Sequence, residues 1–269
     1  MPVTDLIAHR GASHDAPENT LAAFRLAWEA GADGLEGDFR LTRDKEIVCL
    51  HDATTRRTTQ AVLAVADTDL ARLRELDAGA WKGERWRGER IPTLREVIAT
   101  VPRGKKLFIE LKSGPEILPP LAAVLAGSGL EPGQVAIFAF DAGLVAASRE
   151  LFPGFKRLWI TDYARDWRGG WDPSIDQILR TLENSGAAGL ASRAHRSITA
   201  PFVAALRSAG MELHVWTVDS PRSAARFLAL GVDSIITNRP GWLRERLREP
   251  LRPSLPKGGN PGAWCDDNR

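Results

Sequence analysis

The chain has 269 residues, of which 36 are basic and 34 acidic, so its formal net charge is only +2. This length fits one α/β barrel of about 250 residues better than two small domains. The near-neutral balance, without a long run of lysine or arginine, excludes the usual footprint of a nucleic-acid or membrane-surface protein. Its apolar runs fall short of the roughly 18 residues of a membrane span, so we expect no stable membrane insertion.

The amino terminus and the two cysteines favour a cytoplasmic location. The apolar segment Leu6-Ile7-Ala8 follows Met1 too closely to leave room for the charged, apolar and cleavage regions of a secretory leader. Cys49 falls in a predicted buried strand and Cys265 near the carboxyl end, so the two are poorly placed for a disulfide. We therefore expect a reducing compartment.

Short apolar segments alternate with longer helix-patterned segments, which is typical of βα units around a parallel sheet. Eight predicted strands lie at about 5–9, 35–41, 106–112, 134–140, 156–160, 188–191, 212–218 and 233–237. They predict an α/β fold, a TIM-type (β/α)8 barrel, with 1–248 as one catalytic domain. Residues 249–269 accumulate Pro, Gly, Lys and Asn without periodicity, which predicts a flexible tail.

The predicted helices follow the strands. They lie at about 19–30, 141–151, 174–184, 199–209, 221–229 and 240–248. Asn19 is a good N-cap for the first of them, and Pro92-Thr93 starts another helix. Glycines stand where four of the helices should end, at Gly31, Gly186, Gly210 and Gly231. Residues 53–92 are too long for an ordinary βα loop, so we predict a small insertion after the second barrel strand, forming a lid or wall.

An acidic pair and a histidine lie close together in the segment 31–52. Glu36 and Asp38 are two residues apart in a predicted strand, so both side chains project from one face, roughly 6.6 Å apart along it. Two carboxylates in a partly desolvated site raise each other's pKa unless a cation or a shared proton relieves them. His51 follows a hairpin-like turn at 42–45 and a short apolar strand. A metal and acid/base site is one interpretation, and a solvent-facing acidic strand edge is the other.

Polar residues gather at the predicted carboxyl ends of strands, where the site of such a barrel lies. These residues are His9, Arg10, Glu36, Asp38, His51, Glu110, Lys112 and Trp216. Scattered chance charges would not sort this way. Glu110 and Lys112 share the interior face of their strand, and a purely structural ion pair would be costly to bury there. The distribution therefore favours a functional site over an acidic edge.

Six motifs in one order resemble the signature of the glycerophosphodiester phosphodiesterase family. They are His9-Arg10-Gly11, Pro17-Glu18-Asn19-Thr20, the run 31–38 with Leu41-Thr42-Arg43-Asp44 and His51-Asp52, Glu110-Leu111-Lys112, Trp216-Thr217-Val218, and 231–237. The match covers about 3–245, and six ordered motifs are far more specific than any one. The chain departs from the usual pattern at Gly37, Phe39, Ala139 and Asn238.

The resemblance implies a TIM-type barrel that hydrolyses glycerophosphodiesters to glycerol 3-phosphate and an alcohol. It also implies one divalent ion, usually Ca²⁺ or Mg²⁺, held by Glu36, Asp38 and Glu110. Three oxygen donors suit such a hard cation and leave positions open for phosphate oxygens and water. The insertion at 53–92 resembles the small insertion that family members carry there.

The cationic residues are expected to bind the phosphate, and the histidines to transfer protons. Arg10 can grip phosphate oxygens bidentately, whereas Lys112 acts as a point charge. We hypothesise that His9 and His51 flank the phosphorus, one activating the nucleophile and the other protonating the leaving oxygen. The sequence leaves open which histidine does which.

Other side chains are assigned to the pocket and its surroundings. Trp216 and Phe140 are expected to line the substrate pocket, with Trp216 against the glycerol carbons. Glu18 either orients Arg10 or a histidine, or is a helix-start acid favoured by the macrodipole. His14, His195 and His214 are expected to be structural or solvated. Four tryptophans line the substrate entrance or simply pack: Trp81, Trp86, Trp167 and Trp171.

Two other functions remain open on the sequence alone. One is a phospholipase D-like or phosphatidylinositol phospholipase C-like enzyme acting on lipids, and lysophospholipid is chemically close to the soluble substrate. The other is a barrel that binds phosphate-bearing ligands without turning them over. A binder needs neither two histidines nor three carboxylates, so the complete set favours the enzyme. The oligomeric state is not indicated.

Overall fold

The computed structural model describes residues 4–165 and 170–248. Its strands are β1 (Asp5–His9), β2 (Gly34–Leu41), β3 (Ile47–Cys49), β4 (Lys106–Leu111), β5 (Val135–Ala139), β6 (Lys156–Thr161), β7 (Ala164–Arg165), β8 (Trp171–Asp172), β9 (Gly189–Arg193), β10 (Glu212–Trp216) and β11 (Ser234–Thr237). Eight of these strands are parallel neighbours in the order β1-β11-β10-β9-β6-β5-β4-β2, and β1 also pairs with β2. That last pairing closes the sheet, so the predicted TIM-type (β/α)8 barrel is confirmed.

Helices connect the strands on the outside of the barrel. They are α1 (Leu21–Glu29), α2 (Leu70–Leu73), α3 (Leu94–Ile98), α4 (Leu118–Ala126), α5 (Ala142–Leu151), α6 (Ile175–Ser185), α7 (Ala200–Ser208), α8 (Pro221–Leu230) and α9 (Pro240–Arg248). The sequence analysis assigned no helix where α4 lies. Pro119 and Pro120 fall in its first turn, where a missing N–H breaks no intrahelical bond. Within the described ranges, no helix is both long enough and apolar enough to cross a membrane.

The first helix begins two residues later than predicted. Thr20, not Asn19, is the N-cap of α1, because the Thr20 hydroxyl accepts a hydrogen bond from Ala23 N at 3.2 Å. Asn19 instead has a left-handed backbone with φ of 58° and is buried. This difference frees the Asn19 side chain to face β2.

Alternating residues of β4 divide the core into two layers. Leu107, Ile109 and Leu111 belong to the large cluster between the sheet and the helices. Phe108 lies in a smaller cluster of side chains from β1, β5, β6, β9 and β11, which fills the barrel interior. The predicted faces of this strand are confirmed, and Glu110 follows Phe108 on the interior face, toward the carboxyl end.

The hairpin of β2 and β3 brings the His51 segment beside the barrel. β3 pairs antiparallel with β2, with Phe39 opposite Cys49 and Leu41 opposite Ile47. The predicted turn at 42–45 is present, and β3 ends two residues before His51.

A small hydrophobic core joins the insertion to β3 and to the residue that follows β3. Its buried side chains are Val48, Leu50, Val65, Leu73, Leu76, Ala78 and Ile91. The insertion ends at Thr93, which caps α3 in a reciprocal capping box with Glu96. This packing favours the wall over the lid, the two alternatives predicted for the insertion.

Some predictions concern residues outside the described ranges or elements that the sequence did not suggest. The tail at 249–269, which includes Cys265, and Trp167 lie outside the described residues. The short antiparallel pair of β7 and β8 was not predicted. Each of these strands has two residues, too few to display a period.

Candidate active site

Three acidic side chains meet at the carboxyl ends of β2 and β4. The parallel register pairs Asp38 with Glu110, and Glu36 lies two residues before Asp38 on β2. All three residues are buried, and one oxygen from each lies within 4.8 Å of the others. The structure thus brings together the acids that the sequence and the family resemblance singled out.

The three carboxyl groups are all buried but differ in their contacts with cations, and this makes their pKa values unequal. Burial and the neighbouring carboxylates hold the pKa of Glu36 well above its usual range, and burial with Asp38 raises the pKa of Glu110 to about 7. Burial also opposes ionisation of Asp38, but Arg10 and Lys112 outweigh it and lower the pKa of Asp38 to about 2. The cluster therefore holds one firmly ionised acid and two whose ionisation requires further positive charge.

The donor set fits a hard divalent cation. Glu36 Oε1 is buried and accepts no hydrogen bond from any residue of the described ranges. Leaving such an oxygen without a partner costs desolvation energy, and a cation with oxygen ligands would relieve it. Lys112 Nζ lies 3.2 Å from Asp38 Oδ1 and also pairs with Glu110, so an ion would share these carboxylates with an ammonium group.

Arg10 links the end of β1 to the acidic cluster. Its backbone N donates to Glu36 Oε2 at 2.8 Å, and its Nε lies 3.0 Å from Asp38 Oδ2. Its Nη1 donates to Glu18 Oε1 at 2.9 Å. Burial opposes the charge of Arg10, but the three carboxylates raise its pKa nonetheless. Since α1 begins after Glu18, the geometry favours the orienting role of Glu18 over the helix-start role.

The loop after β1 adopts backbone conformations that few residues accept. Arg10 and Asn19 have φ of 56° and 58°, in the left-handed region, which costs on the order of 1 kcal/mol or more for each non-glycine residue. Gly11, with φ of 80°, lies so close to α1 that a Cβ would come within 2.6 Å of the Ala23 carbonyl carbon. Asn19 N donates to Arg10 O at 3.0 Å and closes the loop. These constraints hold Arg10 over the acids.

Asn19 positions Asp38 from this loop. Its Nδ2 donates to Asp38 Oδ2 at 2.8 Å, and its Oδ1 accepts from Asp38 N at 3.2 Å and lies 3.1 Å from Cys49 Sγ. Asn19 belongs to a family motif, but its local sequence predicts only a helix cap. Its two hydrogen-bond partners lie on β2 and β3, which a local pattern does not reveal.

His9 ends β1 with one ring nitrogen occupied. Its Nδ1 lies 2.7 Å from Asn238 Oδ1, just after β11, and its Nε2 lies 3.9 Å from Glu36 Oε2. Burial, reinforced by Arg10, lowers the pKa of His9 to about 4. The ring is therefore neutral near pH 7, with Nε2 facing the acidic cluster.

His51 pairs with the residue that follows it. Its Nδ1 lies 2.6 Å from Asp52 Oδ1. The Arg40 guanidinium donates twice to His51 O, at 2.9 and 2.7 Å, which fixes the backbone beside β2. Burial lowers the pKa of His51, assisted by Arg10, although Asp38 and Asp52 act in the opposite direction.

Arg57 connects two parts of the site from within the insertion. Its guanidinium donates to Glu18 at 2.6 and 3.0 Å and to Asp52 at 2.8 Å. Glu18 contacts Arg10, and Asp52 contacts His51, so one arginine supports both the phosphate-binding side and a histidine. Arg57 and His51 together hold the pKa of Asp52 well below its usual range. The sequence analysis missed Arg57 and Arg40, because no strand-end position or motif marked them.

The insertion also donates hydrogen bonds to the loop after β1. Lys82 Nζ donates to Ser13 O at 2.8 Å, and Arg85 Nη2 donates to Asp15 O at 2.8 Å. With Arg57, these contacts make the insertion a wall against the loop that carries Arg10.

Two aromatic rings stand at the rim of the site beside Lys112. Phe140 is 47% exposed, and its ring meets that of Trp216 edge-on with centroids 5.8 Å apart. Lys112 Nζ lies 5.5 Å from the Phe140 ring centroid. The rings offer apolar surface next to a phosphate-binding cation, and their pocket role remains a prediction.

The histidines and tryptophans expected elsewhere have other partners. Partners of these histidines are Asp15 for His14, Glu212 for His214 and Tyr163 for His195. Trp171 packs edge-on against the His195 ring, with centroids 4.1 Å apart. Trp86 packs under Arg85, and Trp81 is 42% exposed. These contacts favour packing over a role at the substrate entrance for Trp171 and Trp86.

One departure from the usual family pattern has a packing reason. A Cβ at Gly37 would lie 3.2 Å from Cys49 Sγ and 3.2 Å from the ring of Phe39. Phe39 and Cys49 are themselves buried. The larger neighbours thus occupy the space that a side chain between the two acids would need.

Comparison with known proteins gives one consistent similarity. The model of the glycerophosphoryl diester phosphodiesterase family matches residues 9–242. A glycerophosphodiester phosphodiesterase of Caldanaerobacter subterraneus is 35% identical over 252 residues, which cover 91% of this chain and 98% of that protein. A solved Oleispira antarctica phosphodiesterase, in complex with the product sn-glycerol-3-phosphate, has 28% identity and a TM-score of 0.80, covering 92% of this chain and 98% of that one. A Thermotoga maritima glycerophosphodiester phosphodiesterase has 27% identity and a TM-score of 0.71, covering 91% of this chain and 99% of that one.

Proposed function

The chain belongs to the glycerophosphodiester phosphodiesterase family, and from this premise we propose that it hydrolyses glycerophosphodiesters to glycerol 3-phosphate and an alcohol with one divalent ion. The observation that carries the proposal is the buried cluster of Glu36, Asp38 and Glu110 between Arg10 and Lys112. The product-bound Oleispira antarctica relative supports the choice of product.

The acidic cluster supports metal dependence. Glu36, Asp38 and Glu110 would hold a Ca²⁺ or Mg²⁺ ion, which when bound supplies charge neutralisation at the phosphodiester. Two of these acids resist ionisation in the protein alone, so their carboxylate forms depend on added positive charge.

Arg10 and Lys112 bind the anionic phosphodiester. The Arg10 guanidinium is held by Asp38 and Glu18 on one side, and its planar fork suits two phosphate oxygens. Lys112 contributes a single ammonium between the acids and the Phe140 ring. Together they place the phosphorus between the acidic cluster and the aromatic rim.

His9 and His51 move protons at their Nε2 atoms. In each ring Nδ1 is engaged, with Asn238 in one case and Asp52 in the other, so Nε2 is the nitrogen available for transfer. One histidine removes a proton from the nucleophile, and the other donates a proton to the leaving alkoxide. A positioned acid or base of this kind contributes about 10²- to 10⁴-fold in rate.

Release of glycerol 3-phosphate from glycerophosphoethanolamine, with Mg²⁺ or Ca²⁺, tests the proposal. We expect His9→Gln and His51→Gln each to lower kcat by about 10²-fold or more while the fold is retained. His14→Gln is the matched control, because His14 pairs with Asp15 away from the acids. Near-wild-type turnover by either variant would refute the paired-histidine mechanism.

The substrate class is tested by comparing choline release from glycerophosphocholine and from lysophosphatidylcholine. We expect faster release from the soluble diester, whose glycerol carbons the Phe140 and Trp216 rings would contact. Preference for the lipid would defeat that part of the proposal.

A further inference from the structure

Two polar side chains outside the acidic cluster, Asp219 and Asn238, form a chain of hydrogen bonds that ends on His9. Asp219, between β10 and α8, accepts hydrogen bonds through Oδ1 from Asn238 N at 2.8 Å and from Thr237 Oγ1 at 2.9 Å. Its Oδ2 accepts from Asn238 Nδ2 at 2.6 Å. Asn238 Oδ1 in turn lies 2.7 Å from His9 Nδ1.

The direction of this chain follows from donor and acceptor chemistry. An ionised carboxylate only accepts hydrogen bonds, so the amide nitrogen of Asn238 has to face Asp219. The amide oxygen then faces His9. The Ser13 hydroxyl lies 2.8 Å from this oxygen and 2.7 Å from His9 O, and its single hydrogen can be donated to only one of the two at a time. An amide oxygen cannot donate, so His9 Nδ1 carries the proton in the neutral ring and Nε2 carries the lone pair.

We propose that Asp219 is a positioning residue that fixes the tautomer of His9 through the orientation of the Asn238 amide. The proposal rests on the function proposed above, because the tautomer matters for turnover only if His9 transfers a proton. Nε2 is the nitrogen on the side of Glu36, at 3.9 Å. A lone pair on Nδ1 instead would point the basic nitrogen away from the acids and toward Asn238.

A single substitution should reverse the donor-to-acceptor direction of these hydrogen bonds. In Asp219→Asn, the new amide oxygen can still accept from Asn238 N and Thr237 Oγ1, while its nitrogen faces the Asn238 side chain. Asn238 then turns its oxygen toward position 219 and its nitrogen toward His9 Nδ1, which favours the opposite tautomer. We expect kcat to fall by about 10²- to 10⁴-fold, the cost of a misplaced catalytic imidazole proton, with a small change in KM.

An exchange of the two groups should restore the direction. In Asp219→Asn with Asn238→Asp, the amide at position 219 donates to the carboxylate at position 238, and that carboxylate accepts from His9 Nδ1. We expect this double variant to recover most of the lost kcat. A role confined to stabilising the loop predicts no such recovery, because Asn238→Asp alone sets two carboxylates against each other.

Nitrogen-15 NMR of histidine-labelled protein reads the tautomer without turnover. The His9 signals are assigned by their loss in His9→Gln and recorded at mildly alkaline pH. We expect a protonated Nδ1 in the wild type and in the exchanged variant, and a protonated Nε2 in Asp219→Asn. The control is Asp141→Asn, since Asp141 caps α5 at the same face of the barrel by accepting from Gly143 N at 2.7 Å.

The outcomes separate this proposal from the proposed function. An unchanged tautomer in Asp219→Asn, or an exchanged variant that keeps the wrong tautomer, would overturn the role of Asp219 whatever the activity. Undiminished turnover by His9→Gln would overturn the paired-histidine mechanism and leave the tautomer result standing. Failure of the wild type to release glycerol 3-phosphate with any divalent ion would overturn the proposed function, again without changing the tautomer result. If Asp219→Asn does not fold, the exchanged variant and Asn238→Ala carry the test, and an unchanged Nδ1 proton in Asn238→Ala would overturn the proposal.

Discussion

At the scale of single residues, the acidic cluster is a concentration of negative charge that the protein alone balances only in part. Arg10 and Lys112 keep Asp38 ionised, whereas burial and like charge hold the pKa of Glu36 well above its usual range. A group in that state either takes up a proton or requires a cation. The site is therefore expected to be less stable without a metal ion than with one.

Glu36→Gln tests this balance. In the presence of a chelator, we expect the free energy of unfolding of the variant to be no lower than that of the wild type. An amide at position 36 carries no charge for Asp38 and Glu110 to repel and needs neither a proton nor a cation. Added Mg²⁺ or Ca²⁺ should stabilise the wild type more than the variant. Urea unfolding measures both, with Glu46→Gln in the exposed turn as the control. A strongly destabilised Glu36→Gln in chelator would contradict the account.

Arg10→Lys tests the fork geometry of the phosphate contact. Lysine keeps the charge but cannot satisfy Asp38, Glu18 and a phosphate group together. We expect kcat/KM for glycerophosphoethanolamine to fall by about 10²-fold with little change in stability. Arg43→Lys, at an exposed arginine paired with Asp69, serves as the control. Equal kinetics for both variants would show that charge alone suffices at position 10.

At the scale of elements, the insertion is held against the barrel by the small core that it shares with β3 and by cationic side chains. Leu73 is fully buried in that core, and Lys82 and Arg57 fix the wall to the loop after β1 and to Glu18. A change that loosens the insertion should therefore disturb the site through the contacts of Arg57.

Leu73→Ala is the corresponding prediction. Removing this buried side chain should cost about 2–5 kcal/mol of unfolding free energy, and it should also raise KM because the Arg57 contacts loosen. Val62→Ala, at a position 58% exposed in the same segment, should change neither quantity. Thermal unfolding and steady-state kinetics on both variants decide this. Normal KM in a destabilised Leu73→Ala would mean that the insertion is structurally separate from the site.

The elements that sequence could predict were those with a regular pattern. The eight barrel strands and the helices that follow most of them have clear periods, so their bounds fall within a few residues of the structure. The helix α4 was missed because two prolines open it, and the N-cap of α1 was misplaced because Asn19 and Thr20 are both good caps. In the second case a tertiary contact with Asp38 decided between two locally equal choices.

At the scale of the whole molecule, sequence predicts which residues form the site better than it predicts what holds them. His9, Glu36, His51 and Glu110 carry recognisable motifs. The contacts of Arg57 with Glu18 and of Asp219 with Asn238 depend on barrel closure and on the packing of the insertion. Such partners are distant in the chain, and no local period marks them.

At the amino-terminal ends of the strands, opposite the acidic cluster, one ion pair allows a test of how the free energy of unfolding depends on pH. Glu212 pairs with His214 at 3.0 Å and with Lys156 at 2.7 Å, which lowers the pKa of Glu212 from 4.5 to about 2 although burial opposes this. Because the folded pKa is the lower one, its stabilisation is complete above pH 4.5 and is lost as the pH falls toward 2.

Glu212→Gln should therefore flatten the fall in unfolding free energy over that pH range. After allowance for solvent screening, the effect is on the order of 1 kcal/mol. Urea unfolding at several acidic pH values measures it, with Glu183→Gln on the exposed face of α6 as the control. Parallel curves for wild type and Glu212→Gln would rule out this contribution.

The most direct test of the central claim is a titration of metal-free protein with Mg²⁺ or Ca²⁺, while glycerol 3-phosphate release from glycerophosphoethanolamine is followed. The account predicts negligible product without ion, a rise to a plateau as ion is added, and a return to baseline with chelator. Full activity in metal-free protein, or no product with any divalent ion, would contradict it.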